Sequence, residues 1–383
     1  MSHGFRPFFL LAASYAVAAL VALVAGLVLG VWPAAALPPV RWHGHEMLFG
    51  FVAAAIAGFL LTAVPTWTNR PPVAGGALAV LAAIWLAGRV VMMPGLGLQN
   101  TPVVLLDALF FPALGVAVGA SLVPARNYRN WLFLAILVLF TAADLVFLCT
   151  HLGWLEPLPF DPLRLVANLV MLMIALIGGR IVPLFTRNAL LRNRMTVGIA
   201  QRPWLERATF AALIGVVLLD IVRADGAAAG VLAAIAAALL ATRLAHWHGH
   251  RTLQITIAWI LHVGYAWLVL ALALKSVWLL AAEPWAAYWL HALTAGAFGT
   301  MVLGVMTRVA LGHSGRPLVV PPAITVAYLL VIGGALLRVA GPALLPTYYL
   351  PLVTVAMVCW TSAFLIFVAV YLPILIKPRV DGA

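Results

Sequence analysis

The chain has 383 residues, of which 65% are hydrophobic and 8% are charged, and its formal net charge is +12. Soluble globular proteins carry about a quarter charged residues, so this composition excludes a soluble fold and indicates a membrane protein. Of the 22 basic residues, 20 are arginines. The basic residues lie mainly in short loops between apolar runs, so the charge indicates orientation in a bilayer rather than nucleic-acid binding.

Apolar runs long enough to cross a bilayer recur from one end of the chain to the other. The connecting segments are short, so none resembles a soluble domain. The sequence therefore predicts an all-α integral membrane protein with a single polytopic domain over residues 1–383. The twelve predicted spans lie near residues 8–31, 42–65, 74–94, 102–123, 131–150, 163–183, 208–223, 227–244, 253–274, 285–307, 318–340 and 349–376.

The distribution of basic residues sets the predicted orientation. With both termini on one side of the membrane, that side holds 16 of the 22 lysines and arginines and the opposite side holds 6. Cytoplasmic loops carry the excess of Lys and Arg, so both termini are predicted to be cytoplasmic. This orientation places the start of the second span at the outer face of the membrane.

A short motif recurs at the cytoplasmic ends of the second, sixth and tenth spans. Each has Pro or Gly three residues before Thr, and Arg follows within two residues. The members are Pro65, Thr68 and Arg70, then Pro183, Thr186 and Arg187, then Gly304, Thr307 and Arg308. Because these spans are four apart, the motif predicts three groups of four helices in a pseudo-threefold bundle.

The segment RWHGHEMLFGF, residues 41–51, opens the second span with two histidines and a glutamate. Ionisable residues within a membrane are costly, so each is a functional candidate. His43 and His45 are two residues apart and point to nearly opposite faces of a uniform helix. Glu46 lies one turn from His43 and is predicted to orient its imidazole. The His45 face continues with Phe49 and other apolar residues, which suit lipid or a flat apolar cofactor.

Other ionisable residues lie within the later spans, including His262 in the ninth span and His291 about two turns into the tenth. Neutral imidazole binds haem iron or copper, so these two histidines, with His43 and His45, are predicted ligands. The alternative for each is a structural histidine, either at the membrane interface or bonded to a backbone carbonyl. The intramembrane carboxylates are predicted to pair between helices with arginines; the candidates are Asp107, Asp144, Asp220, Arg89 and Arg223.

Arg180 and Arg308 lie near the cytoplasmic boundary, where they are predicted to snorkel or to bind lipid phosphate, and both are candidate supporting residues of the site. The two cysteines, Cys149 and Cys359, lie inside apolar runs and predict no disulfide framework and no thiolate metal site. The chain contains no Cys-x-x-Cys-His motif, so covalent attachment of a c-type haem is excluded.

Five segments together resemble the NnrS family of bacterial membrane proteins. They are GFRPFFLLAA, WHGHEMLFGFVAAAIAGFLLTAVPTWT, GGRIVPLFTRN, WILHVGYAWL and HALTAGAFGTMVLGVMTRVALGHSGR, and the resemblance runs from residue 4 to about residue 316. Proteins of that family are described as haem- and copper-containing and are associated with denitrification and with tolerance of nitric oxide and nitrosative stress. The resemblance implies a multi-pass protein of the bacterial inner membrane with the same association.

The predicted arrangement also resembles the catalytic subunits of haem–copper oxidases and nitric oxide reductases, which have twelve spans in a pseudo-threefold bundle. In those subunits, one histidine near the outer end of the second span and one in the tenth ligate the low-spin haem. The similarity implies His45 and His291 as axial ligands of a non-covalent b-type haem, with His43 and His262 as candidates for a second metal. The copper-binding histidines that those enzymes carry in spans six and seven have no counterpart here.

These inferences predict a haem-binding membrane protein, with copper as a candidate second metal, in the nitric oxide response or in denitrification. Its predicted partners are the lipid bilayer, nitric oxide and a respiratory or denitrification complex. One form of the hypothesis is a haem oxidoreductase that reacts with nitric oxide. Two alternatives stay open: a transporter of a metal, haem or small metabolite, and an assembly factor for a respiratory oxidase or reductase.

Overall fold

A computed structural model describes residues 3–34, 36–196, 198–200, 202–223 and 226–380. These residues form helices and connecting turns and contain no β-strand. Twelve helices coincide with the twelve predicted spans. In chain order they are α1 (Phe5–Leu27), α2 (Pro39–Thr68), α3 (Gly75–Val91), α4 (Pro102–Leu122), α5 (Leu132–His151), α6 (Pro162–Arg192), α7 (Pro203–Arg223), α8 (Ala227–Ala245), α9 (Thr256–Ala281), α10 (Pro284–His313), α11 (Pro322–Leu344) and α12 (Tyr349–Ile376).

Ten of these helices are long and apolar enough to cross a membrane, so the chain is a multi-pass helical membrane protein. The other two are α3, which is apolar but has 17 residues, and α7, which carries Glu206, Arg207 and Asp220. Membrane crossing by α3 and α7 therefore stays a prediction, as does the resemblance to haem–copper oxidases.

Two helices, α2 and α10, share an unusual construction. Each begins at a proline and is α-helical where it reaches a histidine, His45 or His291, although α10 begins with a 3₁₀-helical segment, Pro284–Tyr288. A π-helical segment then follows, Glu46–Val52 in α2 and Ala292–Phe298 in α10, before the α-helix resumes. A π-helical segment widens the turn and shifts the register of the side chains, and such segments are frequent at functional sites.

Glycines at matching positions bring each of these helices close to the helix that precedes it. Gly50 and Gly58 follow His45 at the same spacing as Gly296 and Gly304 follow His291. A β-carbon at any of the four would press on a large side chain of the preceding helix. The facing residues are Tyr15 and Phe9 of α1 for the first pair, and Trp267 and Leu261 of α9 for the second.

The third and fourth helices of each set also correspond. Gly88 of α3 packs on the backbone of Asp107 in α4, and Gly334 of α11 packs on the backbone of Ala356 in α12. We therefore infer that α1–α4 and α9–α12 are two copies of one four-helix arrangement. Their packing places Gly304 in register with Gly58, whereas the Pro–Thr–Arg motif had paired Gly304 with Pro65. The third copy that the motif predicts, α5–α8, stays a prediction.

The first of two compact units comprises Met1–Val166, His313–Gly315 and Val368–Ala383. Its interior is rich in phenylalanine, and the ring centroids of Phe111 and Phe140 are 4.7 Å apart. Arg6 at the start of α1 donates a hydrogen bond of 2.9 Å to the carbonyl of Leu375 in the last turn of α12, and another to the carbonyl of Lys377. This arginine thus joins the two ends of the chain within the unit.

The second unit comprises Ala167–Gly312 and Arg316–Phe367. Arg243 of α8 is fully buried in it and donates two hydrogen bonds, of 2.9 and 2.6 Å, to the half-exposed carboxylate of Glu206 in α7. It also donates to the hydroxyl of Tyr265 in α9, at 2.7 Å. Because an unpaired guanidinium would be costly at this depth, these bonds hold α7, α8 and α9 in one arrangement.

Candidate functional site

His45 lies at the junction where α2 changes from an α-helix to a π-helix. Its side chain is fully buried, and its ring is stacked between the rings of Phe49 and Phe147, with centroid separations of 4.7 and 4.8 Å. The face that the sequence assigned to lipid or a flat cofactor is therefore occupied by protein. Phe147 belongs to α5, so the imidazole is enclosed by a second helix.

Both nitrogens of this ring face carboxylates. Nδ1 lies 2.8 Å from Oε1 of Glu46, the next residue in α2. Nε2 lies 3.0 Å from Oδ1 of Asp144 in α5 and 3.3 Å from Oδ2 of Asp107 in α4. Three helices of the first unit thus direct acidic groups at one imidazole.

Arg89 of α3 supplies the opposite charge. Its Nη1 donates a hydrogen bond of 2.6 Å to Oε2 of Glu46, and its Nη2 donates to Oδ1 of Asp107. Tyr15 of α1 donates its hydroxyl to the same Oε2 of Glu46. We refer to this group as the His45 cluster; its members are Tyr15, His45, Glu46, Arg89, Asp107 and Asp144.

The His45 cluster contains three carboxylates and one guanidinium, all of them buried. An ionised carboxylate can only accept hydrogen bonds, so a ring whose two nitrogens both face carboxylates must be an imidazolium, or one carboxyl must carry a proton. Among the residues that the structure describes, Oδ2 of Asp144 and Oδ2 of Asp107 are buried and accept no hydrogen bond, although Oδ2 of Asp107 lies 3.3 Å from Nε2 of His45. Buried polar atoms are normally satisfied, so these two oxygens are suited to accept a proton or to bind a cation.

The donor set of the cluster suits a small metal ion. His45, Glu46 and Asp107 each offer one ligand atom, and these atoms lie within 4.8 Å of one another. A mixed set of imidazole and carboxylate donors is typical of first-row divalent ions. A haem fits the same residue less well, because a porphyrin would have to displace the carboxylates that face both nitrogens of His45, and both faces of the ring are covered.

The sequence predicted that Glu46 orients His43, but the structure places its carboxylate against His45 instead. His43 is half-buried on the same helix. The predicted partnership of Asp107 with Arg89 is confirmed. Tyr15 was missed by the sequence argument, because a tyrosine within an apolar helix carries no signal of its own.

His262 lies in the second unit and is largely enclosed by protein. Its Nε2 is 2.8 Å from the hydroxyl oxygen of Thr186 in α6, and its Nδ1 is buried without a hydrogen-bond partner. A β-carbon at Gly249, in the loop after α8, would lie 2.5 Å from that Nδ1, so the loop backbone approaches this side of the ring closely. The contact with Thr186 fits a structural histidine, and metal ligation by His262 stays a prediction.

His291 is half-buried at the end of the short α-helical segment Trp289–His291. Lys275 of α9 lies 4.7 Å from the ring centroid of Trp289 and pairs with Asp220, which also accepts a hydrogen bond of 2.8 Å from Asn168. Asp220 thus has a lysine as its partner, where the sequence predicted an arginine. Axial ligation of haem by His291 stays a prediction.

The two supporting arginines also lie in the second unit. Arg308 is buried, with its guanidinium carbon 3.7 Å from the ring centroid of Phe185, and Arg180 is half-buried. A guanidinium over an aromatic ring is a favourable cation–π arrangement. The stacking holds Arg308 within the helices, and a role for either arginine in binding lipid phosphate stays a prediction.

The close approach of α3 to α4 gives a direct test of the geometry of the cluster. A β-carbon at Gly88 would overlap the carboxylate of Asp107 and press on its Cα at 3.2 Å. We expect Gly88→Ala to lower the stability of the folded protein by about 1–3 kcal/mol, measured by thermal unfolding in detergent. Gly76→Ala in the same helix is the control, because no atom lies within 4 Å of its β-carbon and its stability should be unchanged. Equal unfolding temperatures for both variants would contradict the packing described here.

Comparison with known proteins places the chain in a family. No curated protein matches the chain. A family model does match it, over residues 1–379, which is nearly the whole chain and confirms the resemblance seen in its sequence segments. The family is described as NnrS protein, and the chain therefore belongs to the NnrS family.

Proposed function

We propose that the chain is a metal-binding protein of the bacterial inner membrane that acts in the response to nitric oxide, with the His45 cluster as its metal centre. The observation that supports this proposal is the excess of buried negative charge. Glu46, Asp107 and Asp144 are opposed by one guanidinium, that of Arg89. Ionisable groups within a membrane protein are retained mainly where they serve function.

The charges of the cluster support a divalent cation as its ligand. With His45 neutral, three carboxylates and one guanidinium leave two negative charges in excess, which equals the charge of one divalent cation. With His45 protonated, one negative charge remains. An uncompensated buried charge costs several kcal/mol, so the cluster needs either bound protons or a bound cation. A divalent ion fits the neutral form of His45, whose nitrogen can then act as a ligand.

The family association connects such an ion with nitric oxide. Iron and copper ions bind nitric oxide directly, which is the chemistry that either ion would supply. The residues of the cluster would hold the ion: His45 as the nitrogen donor, and Glu46 and Asp107 as oxygen donors. Arg89 and Tyr15, which bond to the outer oxygen of Glu46, would fix the orientation of that ligand.

We also propose that haem binds in the second unit, where His291 is the candidate axial ligand. This assignment rests on the family resemblance and on the position of His291, which matches that of His45 in the repeated helix. The proposed roles in nitrosative stress tolerance and in denitrification, and a contact with a respiratory complex, rest on the family association alone.

A transporter of a metal ion is the second candidate, since buried carboxylates and an imidazole could equally form a step along an ion path. Uptake into liposomes distinguishes the two. Transport of ferrous, cuprous or zinc ions that depends on Asp144, in protein without stably bound metal, would favour this second function.

The experiment that tests the proposal measures metal content in the purified full-length protein. Elemental analysis and a visible absorption spectrum would be recorded on protein reconstituted with ferrous, copper or zinc ions in detergent. We expect stoichiometric metal in the wild type and a decrease of at least about tenfold in Asp144→Asn, because the substitution removes one of the three buried negative charges that the ion would balance.

Asp161→Asn is the matched control. Asp161 is a half-exposed carboxylate of the same unit that pairs with Arg41 at 3.3 Å, outside the His45 cluster. Its metal content should equal that of the wild type, and circular dichroism should show equal helix content in all three proteins. Wild-type protein that takes up no metal, or an Asp144→Asn variant that retains it fully, would refute the proposed metal centre.

A further inference from the structure

The two copies of the four-helix arrangement differ in the groups that neutralise the charge of the arginine in their third helix. In the first copy, Arg89 of α3 follows Gly88 and pairs with Glu46 and Asp107. In the second copy, Gly334 corresponds to Gly88, and the arginine of α11 is Arg338, one turn farther along the same face. The position that corresponds to Glu46 is occupied by an alanine, Ala292. The second copy thus retains the cation but has lost this carboxylate.

Arg338 has aromatic neighbours in place of acidic ones. Its guanidinium carbon lies 5.3 Å from the ring centroid of Tyr288 and 6.0 Å from that of Tyr349. Its Nη1 is buried, and in the part of the chain that the structure describes this atom has no hydrogen-bond partner. Glu283, the acidic residue nearest to Tyr288 in the sequence, is exposed and accepts a hydrogen bond from Trp285.

This environment is incomplete for a permanently charged group. A guanidinium stays protonated in proteins, and its planar edge presents N–H donors in a fork that matches carboxylate and phosphate oxygens. The tyrosine rings attract the cation through their faces but provide no acceptor for the buried N–H groups of Nη1. A buried donor without an acceptor is costly, and an anion at the edge of the guanidinium would supply that acceptor.

We propose that Arg338, with Tyr288 and Tyr349, forms a binding site for an oxyanionic group. The site lies about one helical turn from His291, because Tyr288 and His291 are three residues apart in α10. The phosphate of a membrane lipid and a small free oxyanion share this chemistry. The site belongs to the second unit and does not depend on the metal proposed for the His45 cluster.

Two arms of one experiment distinguish the sources of the anion. In the first, the full-length protein is assembled into nanodiscs of phosphatidylglycerol or phosphatidylcholine, and phospholipid retained after detergent extraction is measured by native mass spectrometry. In the second, thermal unfolding in detergent is followed with increasing sodium phosphate or sodium nitrite, with sodium chloride at equal ionic strength as reference. Ligands that bind only the folded state raise the unfolding temperature with concentration.

Arg338→Gln is expected to weaken the anion effect at least about tenfold in one of the two arms, because it removes a charge-assisted hydrogen bond. Loss of lipid retention would assign the site to a lipid headgroup, and loss of stabilisation by phosphate or nitrite would assign it to a free oxyanion.

Arg338→Lys keeps the charge without the planar fork and should bind with intermediate affinity, which guards against misfolding of the glutamine variant. Arg129→Gln, at an exposed arginine, is the control. If neither arm differs between Arg338→Gln and the wild type, there is no anion site at Arg338.

Discussion

Replacement of Arg89 by leucine is expected to lower the free energy of unfolding by about 3–5 kcal/mol, which is the usual effect of removing one partner from a buried ion pair. Arg89 donates to both Glu46 and Asp107, and all three side chains are buried within the first unit. Without the guanidinium, three carboxylates would share one interior with a single imidazole. The variant should accumulate poorly in membranes and, once purified, should unfold at a lower temperature or lower denaturant concentration than the wild type.

A second substitution distinguishes charge imbalance from loss of side-chain volume as the cause of the lower stability of Arg89→Leu. Adding Glu46→Gln to Arg89→Leu removes one of the uncompensated charges and should restore part of the lost stability, because residues in one charge network are coupled. Arg129→Gln, at an exposed arginine, should leave stability within about 0.5 kcal/mol of the wild type. If the double variant were less stable than Arg89→Leu, charge imbalance would not be the reason for the loss.

The helical membrane fold could be predicted from the sequence because hydrocarbon allows few alternatives. An apolar segment that crosses lipid must satisfy its backbone internally, so a long apolar run specifies a helix almost regardless of its neighbours. The twelve predicted spans therefore coincide with twelve helices, although their ends differ by several residues. The sixth span, predicted to end at residue 183, continues as α6 to Arg192 because the polar residues that follow it remain helical beyond the apolar run.

The composition of the His45 cluster could be predicted only in part. The cost of charge within a membrane identified Asp107, Asp144 and Arg89 as residues that need partners, and Asp107 does pair with Arg89. Their convergence on His45 depends on contacts among α2, α3, α4 and α5, and a single sequence carries no signal for which helices touch. The sequence motif predicted a repeat of four helices. The residue-by-residue alignment of two copies could be made only from the side chains that face Gly58 and Gly304 in the structure.

The partner of Glu46 could not be predicted from helical periodicity, because the backbone changes locally from an α-helix to a π-helix. A uniform helix places Glu46 one turn from His43 and away from the neighbouring His45. The π-helical segment begins at Glu46, and there the carboxylate reaches Nδ1 of His45 at 2.8 Å. Hydrophobic periodicity does not distinguish seven π-helical residues from seven α-helical ones. The same limitation hid the fact that His45 and His291 precede equivalent π-helical segments.

The two equivalent histidines should respond differently when haem content is measured. Surface remains accessible on His291, and Ala292 stands where Glu46 follows His45. His45 has no accessible surface, and both of its nitrogens face carboxylates. In protein from haem-supplemented cells, we therefore expect His291→Gln to lower the Soret absorbance per chain at least about tenfold, and His45→Gln to leave it nearly unchanged.

The same preparations report on the proposed metal centre, because the non-haem metal content should fall in His45→Gln and persist in His291→Gln. This reciprocal loss would show that the duplicated helix carries two chemically distinct sites, one surrounded by carboxylates and one lacking the carboxylate next to its histidine. Loss of the Soret band in His45→Gln would return His45 to the role of an axial ligand and would require its ring to leave the carboxylates. A wild-type protein without a Soret band would remove haem from the proposed function and leave the charge imbalance around His45 as its basis.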